Sequence, residues 1–232
     1  MTSRSISSTS DQCAVQEFPA QSGISGQVKS AIGALLDLSP SDPISFLSEY
    51  FFHASHGSAA ILHAYKLVTC LDYTSPTICA RFGAAYELLL IPGWGLPSKE
   101  CLAFLAFFCC GFEKIRSSLA TISAAHIGKD RMVTYKDFTQ LVIYHVLIED
   151  LLLKVKGKYS INSSQKRIEK SYIYEMIAAV FQIEGHDILL GIRMKLYSTL
   201  TQPIHPSDHS THSSAISFEE FLEEVSMRLV LL

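Results

Sequence analysis

The sequence predicts an all-α protein, in which an N-terminal two-helix docking hairpin is followed by a multi-helix bundle domain. Apolar residues recur at helical spacing through most of the 232 residues, and no long stretch alternates between apolar and polar residues. Hydrophobic residues make up 48% of the chain and charged residues 18%, so most of the chain is expected to be packed. We expect a flexible tail at 1–22, the hairpin at 23–56, and the helical domain at 57–232 with a polar linker at 201–215.

The hairpin consists of two short amphipathic helices. Asp42 can accept hydrogen bonds from the free N–H groups of the second helix, and Pro43 occupies the first helical position, where a missing N–H costs nothing. Isolated helices shorter than about 12–15 residues are marginal in water, so their apolar faces need a partner. That partner could be the rest of the chain, a second copy or another protein. The predicted partner-binding residues are Val28, Ile32, Leu35, Leu36, Ile44, Phe46, Leu47, Tyr50 and Phe51.

Segment 40–51 has the pattern P-x-D-P-I-x-F-L-x-x-Y-F. This pattern resembles the RIIa-like dimerisation/docking hairpin of cAMP-dependent protein kinase regulatory subunits and of Dpy-30-like proteins. The resemblance implies that two hairpins form a four-helix bundle whose groove receives an amphipathic helix of a target. The alternative is that these helices simply pack on the helices that follow.

Helices are predicted in nearly every later segment. The first covers 58–71, and the pair Ser75-Pro76 opens another that reaches about residue 91. A loop rich in glycine and proline occupies 92–97. A strongly apolar helix then starts at Ser98 and continues through residue 112, and it is expected to lie centrally.

A helix that begins at Thr134 carries apolar residues on most sides, so it is predicted to be core. His145 lies within this pattern and is expected to be a hydrogen-bonded packing residue rather than a catalytic base. The adjacent Glu149 and Asp150 project apart, which makes them an improbable acid–base pair and assigns them to a solvated face. Further helices are predicted at 172–184, at 186–200 and from Ser217.

Two helix starts, at 133–138 and 216–221, share the pattern apolar, Thr/Ser, aromatic, charged, acidic, Phe. Each is predicted to be a capping box. The same spacing mimics the second half of an EF-hand, where calcium needs oxygen ligands at loop positions one, three and five. Those positions hold His126, Gly128 and Asp130 in one loop and His209, Thr211 and Ser213 in the other. Calcium binding is therefore not expected, whereas an EF-hand-like helix pair without metal stays an alternative.

A basic cluster follows the core helix and includes a single acid, Glu169. It could attract an acidic partner such as a glutamate-rich tubulin tail, with an attraction that salt weakens. The alternative is a solvated loop between helices. The residues of the cluster are Lys154, Lys156, Lys158, Lys166, Arg167 and Lys170.

The net charge and the lengths of the apolar segments argue against binding to nucleic acid and against a membrane span. A formal charge of −3 gives no general attraction to nucleic acid or to an anionic membrane, so nucleic acid is not an expected partner. The longest apolar run, 101–112, is shorter than the roughly 20 residues that a membrane span requires. Six cysteines lie in or beside apolar segments without a Cys-x-x-Cys pair or a secretory signal, which predicts reduced thiols in an intracellular protein.

Catalytic and cofactor motifs are missing from the sequence. It contains no GxxxxGK[ST] loop, no G-x-G-x-x-G, no G-x-S-x-G and no H-E-x-x-H, so neither a catalytic residue nor a cofactor is predicted. The polar linker holds His205, His209 and His212, whose loose spacing admits a labile metal contact. A surface linker rich in Ser, Thr, His and Pro explains them more simply, and no metal site is predicted.

Taken in order, these segments resemble the family of subunit 1 of the tubulin polyglutamylase complex. The resemblance lies in 28–50 with its D-P-I-x-F-L core, in the helix that holds Ala85-Tyr86-Glu87, in 133–153, and in 216–223 with its E-E-F-L. It implies a non-catalytic scaffold or regulatory subunit, which helps assemble and localise the ligase that adds glutamates to tubulin tails.

The same resemblance implies the partners and the location of the protein. The partners would be other subunits of the complex, including a tubulin-tyrosine-ligase-like catalytic subunit, together with tubulin or microtubules. The location would be the cytoplasm and cytoskeleton, at microtubules, centrosomes and the basal bodies of cilia. A homodimer through the hairpin is a further option. The alternative function is a free-standing dimerisation/docking adaptor that binds an amphipathic helix of a partner, and an enzyme of unrecognised type is the third.

Overall fold

The computed structural model describes residues 24–40, 42–55, 59–69, 77–128, 131–161, 167–181, 190–201 and 215–230. Within these ranges the chain is almost entirely helical, which confirms the predicted all-α class. The predicted tail at 1–22 lies outside the described residues. So do residues 202–214 of the polar linker, with His205, His209 and His212.

Helices α1 (Ile24–Leu38) and α2 (Pro43–Ser55) form the predicted hairpin. Asp42 Oδ1 accepts hydrogen bonds from the backbone N–H of Ser45 at 3.1 Å and of Ile44 at 3.0 Å. The predicted helix cap is therefore confirmed. These bonds favour the ionised carboxylate, and the bond from Ser45 in particular holds the pKa of Asp42 below its usual value.

Helix α3 (Ala59–Thr69) leads into a unit of two helix–loop–helix motifs. The elements of this first unit are α4 (Ile78–Leu89), β1 (Leu96–Pro97), α5 (Ser98–Leu105), α6 (Glu113–Ile127), β2 (Met132–Val133) and α7 (Tyr135–Ile161). Strands β1 and β2 pair antiparallel, with Leu96 opposite Val133. This two-residue ribbon joins the two loops immediately before α5 and α7.

A second unit repeats this order and shares α7 with the first. After α7 it contains β3 (Ile168–Glu169), α8 (Lys170–Phe181), α9 (Leu190–Thr201), β4 (Ala215–Ile216) and α10 (Phe218–Leu229). Strands β3 and β4 pair antiparallel, with Ile168 opposite Ile216. Helix–loop–helix motifs joined in pairs by a short ribbon have the element order of paired EF-hands, so the structure agrees with that alternative at the level of topology.

The core lies between these helices and is rich in aromatic residues. Phe104, Phe107, Phe108 and Phe138 are all fully buried, which confirms that the apolar segment after Ser98 lies centrally. His145 is also buried, and its Nδ1 lies 2.8 Å from the carbonyl oxygen of Leu141, as expected of a packing residue. Among the described helices, none is both long and apolar enough to cross a membrane.

Two local predictions in this region were wrong. The apolar helix predicted to continue through residue 112 ends at Leu105, and residues 106–111 form turns in which Cys109 has a left-handed φ of 56°. The backbone N–H of Cys109 donates a hydrogen bond to Glu149 Oε1 at 3.1 Å. Glu149 is therefore largely covered instead of solvated, and burial raises its pKa to about 7.

Candidate docking surface

Helix α1 packs on the core with one side only. Ala31 is fully buried, whereas Val28, Ile32 and Leu36 are 39%, 49% and 72% exposed. A spacing of four residues places these three side chains in one row along the helix. The sequence-predicted apolar face of α1 is therefore largely open in the structure.

Helix α2 divides its predicted partner-binding residues between solvent and core. Ile44 is 77% exposed and Phe51 is 38% exposed, and the sequence-based prediction omitted Phe52, which is also exposed. We use the name hairpin surface for the exposed apolar residues of the two helices. They are Val28, Ile32, Leu36, Ile44, Phe51 and Phe52.

Phe46 and Tyr50 do not belong to this surface. Phe46 is 1% exposed, and its ring centroid lies 6.1 Å from those of both Tyr65 and Phe107. Tyr50 is buried beside it, with the two ring centroids 6.1 Å apart. In this structure both rings contact the chain's own helices, so their predicted contact with a partner is corrected. Leu35 and Leu47 are partly buried against the same core.

His53 is a core residue that the sequence analysis missed. It is buried, and its ring centroid lies 5.2 Å from that of Phe107. The signal was available, because residues 46, 50 and 53 have the spacing of one helix face. His53 continues the row of Phe46 and Tyr50, but a histidine does not count toward an apolar pattern.

Ion pairs also connect the hairpin to later helices. Arg116 of α6 lies 3.1 Å from a carboxylate oxygen of Glu49, and Lys66 of α3 lies 2.7 Å from Asp37. Together with the buried Phe46 and Tyr50, these contacts make α2 part of the same hydrophobic core as the helices that follow.

Three residues of the basic cluster form ion pairs within the chain. Lys154 lies 2.8 Å from Asp150, Arg167 lies 3.0 Å from Glu220 and Lys170 lies 3.6 Å from Glu224. Surface pairs of this kind contribute only about 0–1 kcal/mol, so a stronger acidic partner could replace them. Attraction of an acidic tail thus stays a prediction, and these pairs do not favour it.

The other lysines of the cluster lie against aromatic rings. Lys156 Nζ is 5.3 Å from the centroid of Phe112, and Lys158 Nζ is 5.9 Å from that of Tyr172. Lys166 lies outside the described residues. Because α7 extends to Ile161, Lys154, Lys156 and Lys158 lie on a helix and not in the predicted loop.

In one of the EF-hand-like loops, the side chains at the first and last positions contact each other. His126 and Asp137, at loop positions one and twelve, lie 3.5 Å apart between Nε2 and Oδ1. Hydrogen bonding to Thr134 and the neighbouring His126 lower the pKa of Asp137. Asp130, at position five, lies outside the described residues, as do His209, Thr211 and Ser213 of the other loop. No three His, Cys, Asp or Glu side chains are grouped for metal binding in the described ranges.

Comparison of the chain with protein-family models, with curated proteins and with solved structures found no match.

Proposed function

We propose that this chain is a non-catalytic scaffold that binds a protein partner through its hairpin surface. One observation carries this proposal: Val28, Ile32 and Leu36 form an exposed apolar row on α1, while Ala31, on the adjacent face of the same helix, packs on the core. An amphipathic helix that is already docked normally turns a polar face to solvent. A second apolar row therefore indicates a second contact.

Burial of the hairpin surface by a partner would contribute enough free energy for a stable contact. Full burial of a Val, Leu, Ile or Phe side chain contributes about 1.5–3 kcal/mol. The six side chains of the hairpin surface are only partly covered, so most of that contribution remains for a partner. The row on α1 extends over nine residues, Val28 to Leu36, or about 12 Å of helix, which matches two to three turns of a partner helix.

The resemblance to subunit 1 of the tubulin polyglutamylase complex supports a more specific version of this proposal. In that version the hairpin surface contacts a sister subunit, and a tubulin-tyrosine-ligase-like subunit performs the ligation at microtubules, centrosomes or cilia. The chain itself would help assemble and localise the complex. The second candidate is a free-standing adaptor, which the length of the α1 row favours because that row fits a single amphipathic helix.

The test uses residues that are exposed, since charges at Phe46 or Tyr50 would disrupt the core. Ile32→Asp combined with Leu36→Asp places two charges in the row. Gln27→Asp combined with Ser30→Asp places two charges on exposed positions of the same helix and serves as the matched control. Each tagged full chain is recovered from ciliated cells, and the recovered material is assayed for glutamylation of tubulin.

The expected result is glutamylating activity with the wild type and with the control, and its loss with the double variant in the row. Retention of activity by that variant would contradict docking through the hairpin surface. Recovery of an amphipathic-helix protein without glutamylating activity would instead support the adaptor. Circular dichroism of the purified chains establishes that both double variants keep the helical content of the wild type.

A further inference from the structure

A cleft of about 440 Å³ lies between α5, α6 and α7, beside Glu49 of α2, and the residues described in its lining do not include those of the hairpin surface. Small-molecule sites typically have volumes of about 300–1,000 Å³. The walls of the cleft are mainly apolar and include Leu102 and Leu105 of α5 and Ala120 and Ala124 of α6. Small side chains on α6 keep the space between the helices open.

The cleft contains a buried hydroxyl group that lacks a partner. Ser123 is 1% exposed and lines the cleft, and within the described part of the chain its Oγ makes no hydrogen bond. Buried polar atoms in proteins nearly always have a hydrogen-bond partner. The Ser123 hydroxyl lies in the wall of the cleft without a partner, so a rotation of this side chain toward the open space would offer it to a polar group of a ligand.

A second polar atom is supplied by His145, which also lines the cleft. A carbonyl oxygen can only accept, so the contact of 2.8 Å with Leu141 assigns the proton to Nδ1 and leaves Nε2 as an acceptor. Burial lowers the pKa of His145 to about 4, which keeps the ring neutral near pH 7. A ligand group that reaches Nε2 must therefore donate a hydrogen bond.

The charges on the lining of the cleft disfavour anions. Arg116 lies 3.1 Å from a carboxylate oxygen of Glu49 and 3.1 Å from one of Glu113. Two carboxylates thus surround one guanidinium, which leaves a net charge of about −1 if all three groups are ionised. The other lining residues are neutral or apolar.

We propose that this cleft binds a small molecule with an apolar body and a hydrogen-bond-donating head group, namely an aliphatic alcohol or amine. The apolar body contacts the walls formed by α5 and α6. The head group donates to Nε2 of His145 and satisfies the hydroxyl of Ser123. A carboxylic acid of the same length is excluded, because its carboxylate offers no donor and meets negative charge.

The experiment titrates the full chain with 1-hexanol, hexylamine and hexanoate, and follows binding by ligand-observed saturation-transfer NMR and by calorimetry. The alcohol and the amine are expected to bind at least roughly tenfold more tightly than hexanoate. Ala124→Phe fills the cleft and should abolish binding. Ala125→Phe, at an exposed neighbouring position outside the cleft, is the matched control and should bind as the wild type does.

The Ser123→Ala variant tests whether weaker binding comes from the lost hydroxyl or from loss of the folded structure. Because it removes an unpaired buried hydroxyl, it should leave the melting temperature of the free chain equal or higher, while weakening the alcohol and the amine by roughly threefold to tenfold. Equal affinities for all three compounds would overturn the proposal, and so would undiminished binding by Ala124→Phe. A fall in melting temperature of the free Ser123→Ala chain would do so as well, because it would show that the hydroxyl already has a partner.

Discussion

The backbone N–H of Cys109 donates a hydrogen bond to the carboxylate of Glu149, 40 positions later in the chain. This contact ties the turn after α5 to the middle of α7. Cys109 has the left-handed backbone conformation that glycine adopts most easily, so the turn depends on contacts that hold it in place. A largely buried carboxylate at this point also makes the stability of the fold depend on pH.

Glu149→Gln should change how stability varies with pH. Burial raises the pKa of Glu149 to about 7 from its usual 4.5, so the folded state holds the proton more strongly and stability falls as pH rises through this window. Burial lowers the pKa of His145 to about 4 from 6.5. The contribution of His145 to stability therefore rises as pH rises between those two values. The two slopes oppose each other in the wild type.

Without the carboxylate of Glu149, the pH dependence of stability should follow the titration of His145. From pH 4.5 to 7, the free energy of unfolding of Glu149→Gln should gain on the order of 3 kcal/mol relative to the wild type. Urea unfolding of both chains at several pH values measures this difference. A constant difference across the range would show that Glu149 has an ordinary pKa and is solvated.

Asp42→Ala should destabilise the hairpin. The variant loses the hydrogen bonds that Asp42 accepts from the backbone N–H groups of Ile44 and Ser45 and from the hydroxyl of Ser45, and loss of an N-cap typically costs about 0.5–2 kcal/mol. Asp37→Ala is the matched control, because it removes a carboxylate of the same hairpin that makes only an exposed ion pair with Lys66. Urea unfolding should rank Asp42→Ala as the more destabilised, and the reverse order would contradict the cap.

Phe46→Ala and Phe52→Ala should differ strongly in stability. Phe46 is fully buried, and truncation of a buried Phe costs about 3–5 kcal/mol. Phe52 is 56% exposed, and a substitution at a site so open should cost less than about 1 kcal/mol. Guanidinium unfolding of the two variants tests which side of α2 faces the core. Similar losses from both would mean that α2 is rotated relative to the structure described.

Calcium should not stabilise the protein. Loop positions one and three hold His126 and Gly128, which provide no side-chain oxygen, and His126 already contacts Asp137 at position twelve. The melting temperature should be the same in calcium and in EDTA. A rise of several degrees in calcium would show that one of the loops binds the ion despite its side chains.

Local chemistry predicted most of the helices and several of their starts. At the start of α7 only half of the predicted capping box forms, because the Asp137 carboxylate accepts a hydrogen bond from the hydroxyl of Thr134 and not from its backbone N–H. Asp42 caps α2, and Ser217 forms the full capping box with Glu220, as the sequence indicated. Such signals depend on residues three or four positions apart. The ribbons were not predicted, because two residues are too few to show the alternation of a strand.

Contacts between distant segments account for the remaining errors. Periodicity showed that α2 has an apolar face, but it could not show that Tyr65 and Phe107 cover Phe46. The pairing of Arg167 with Glu220 likewise joins positions 53 residues apart. Amino-acid spacing identifies which side chains need a partner, whereas only the tertiary structure identifies which of them have one.

The hairpin surface can be tested most directly by photo-crosslinking from Leu36. A photoreactive residue at this position in the full chain, expressed in ciliated cells, should crosslink to another subunit of an assembly that glutamylates tubulin. The same residue in place of Ser30, which is exposed on α1 outside the apolar row, should give no such product. A crosslink from Leu36 only to the chain's own later helices, or equal crosslinking from both positions, would contradict docking through this surface.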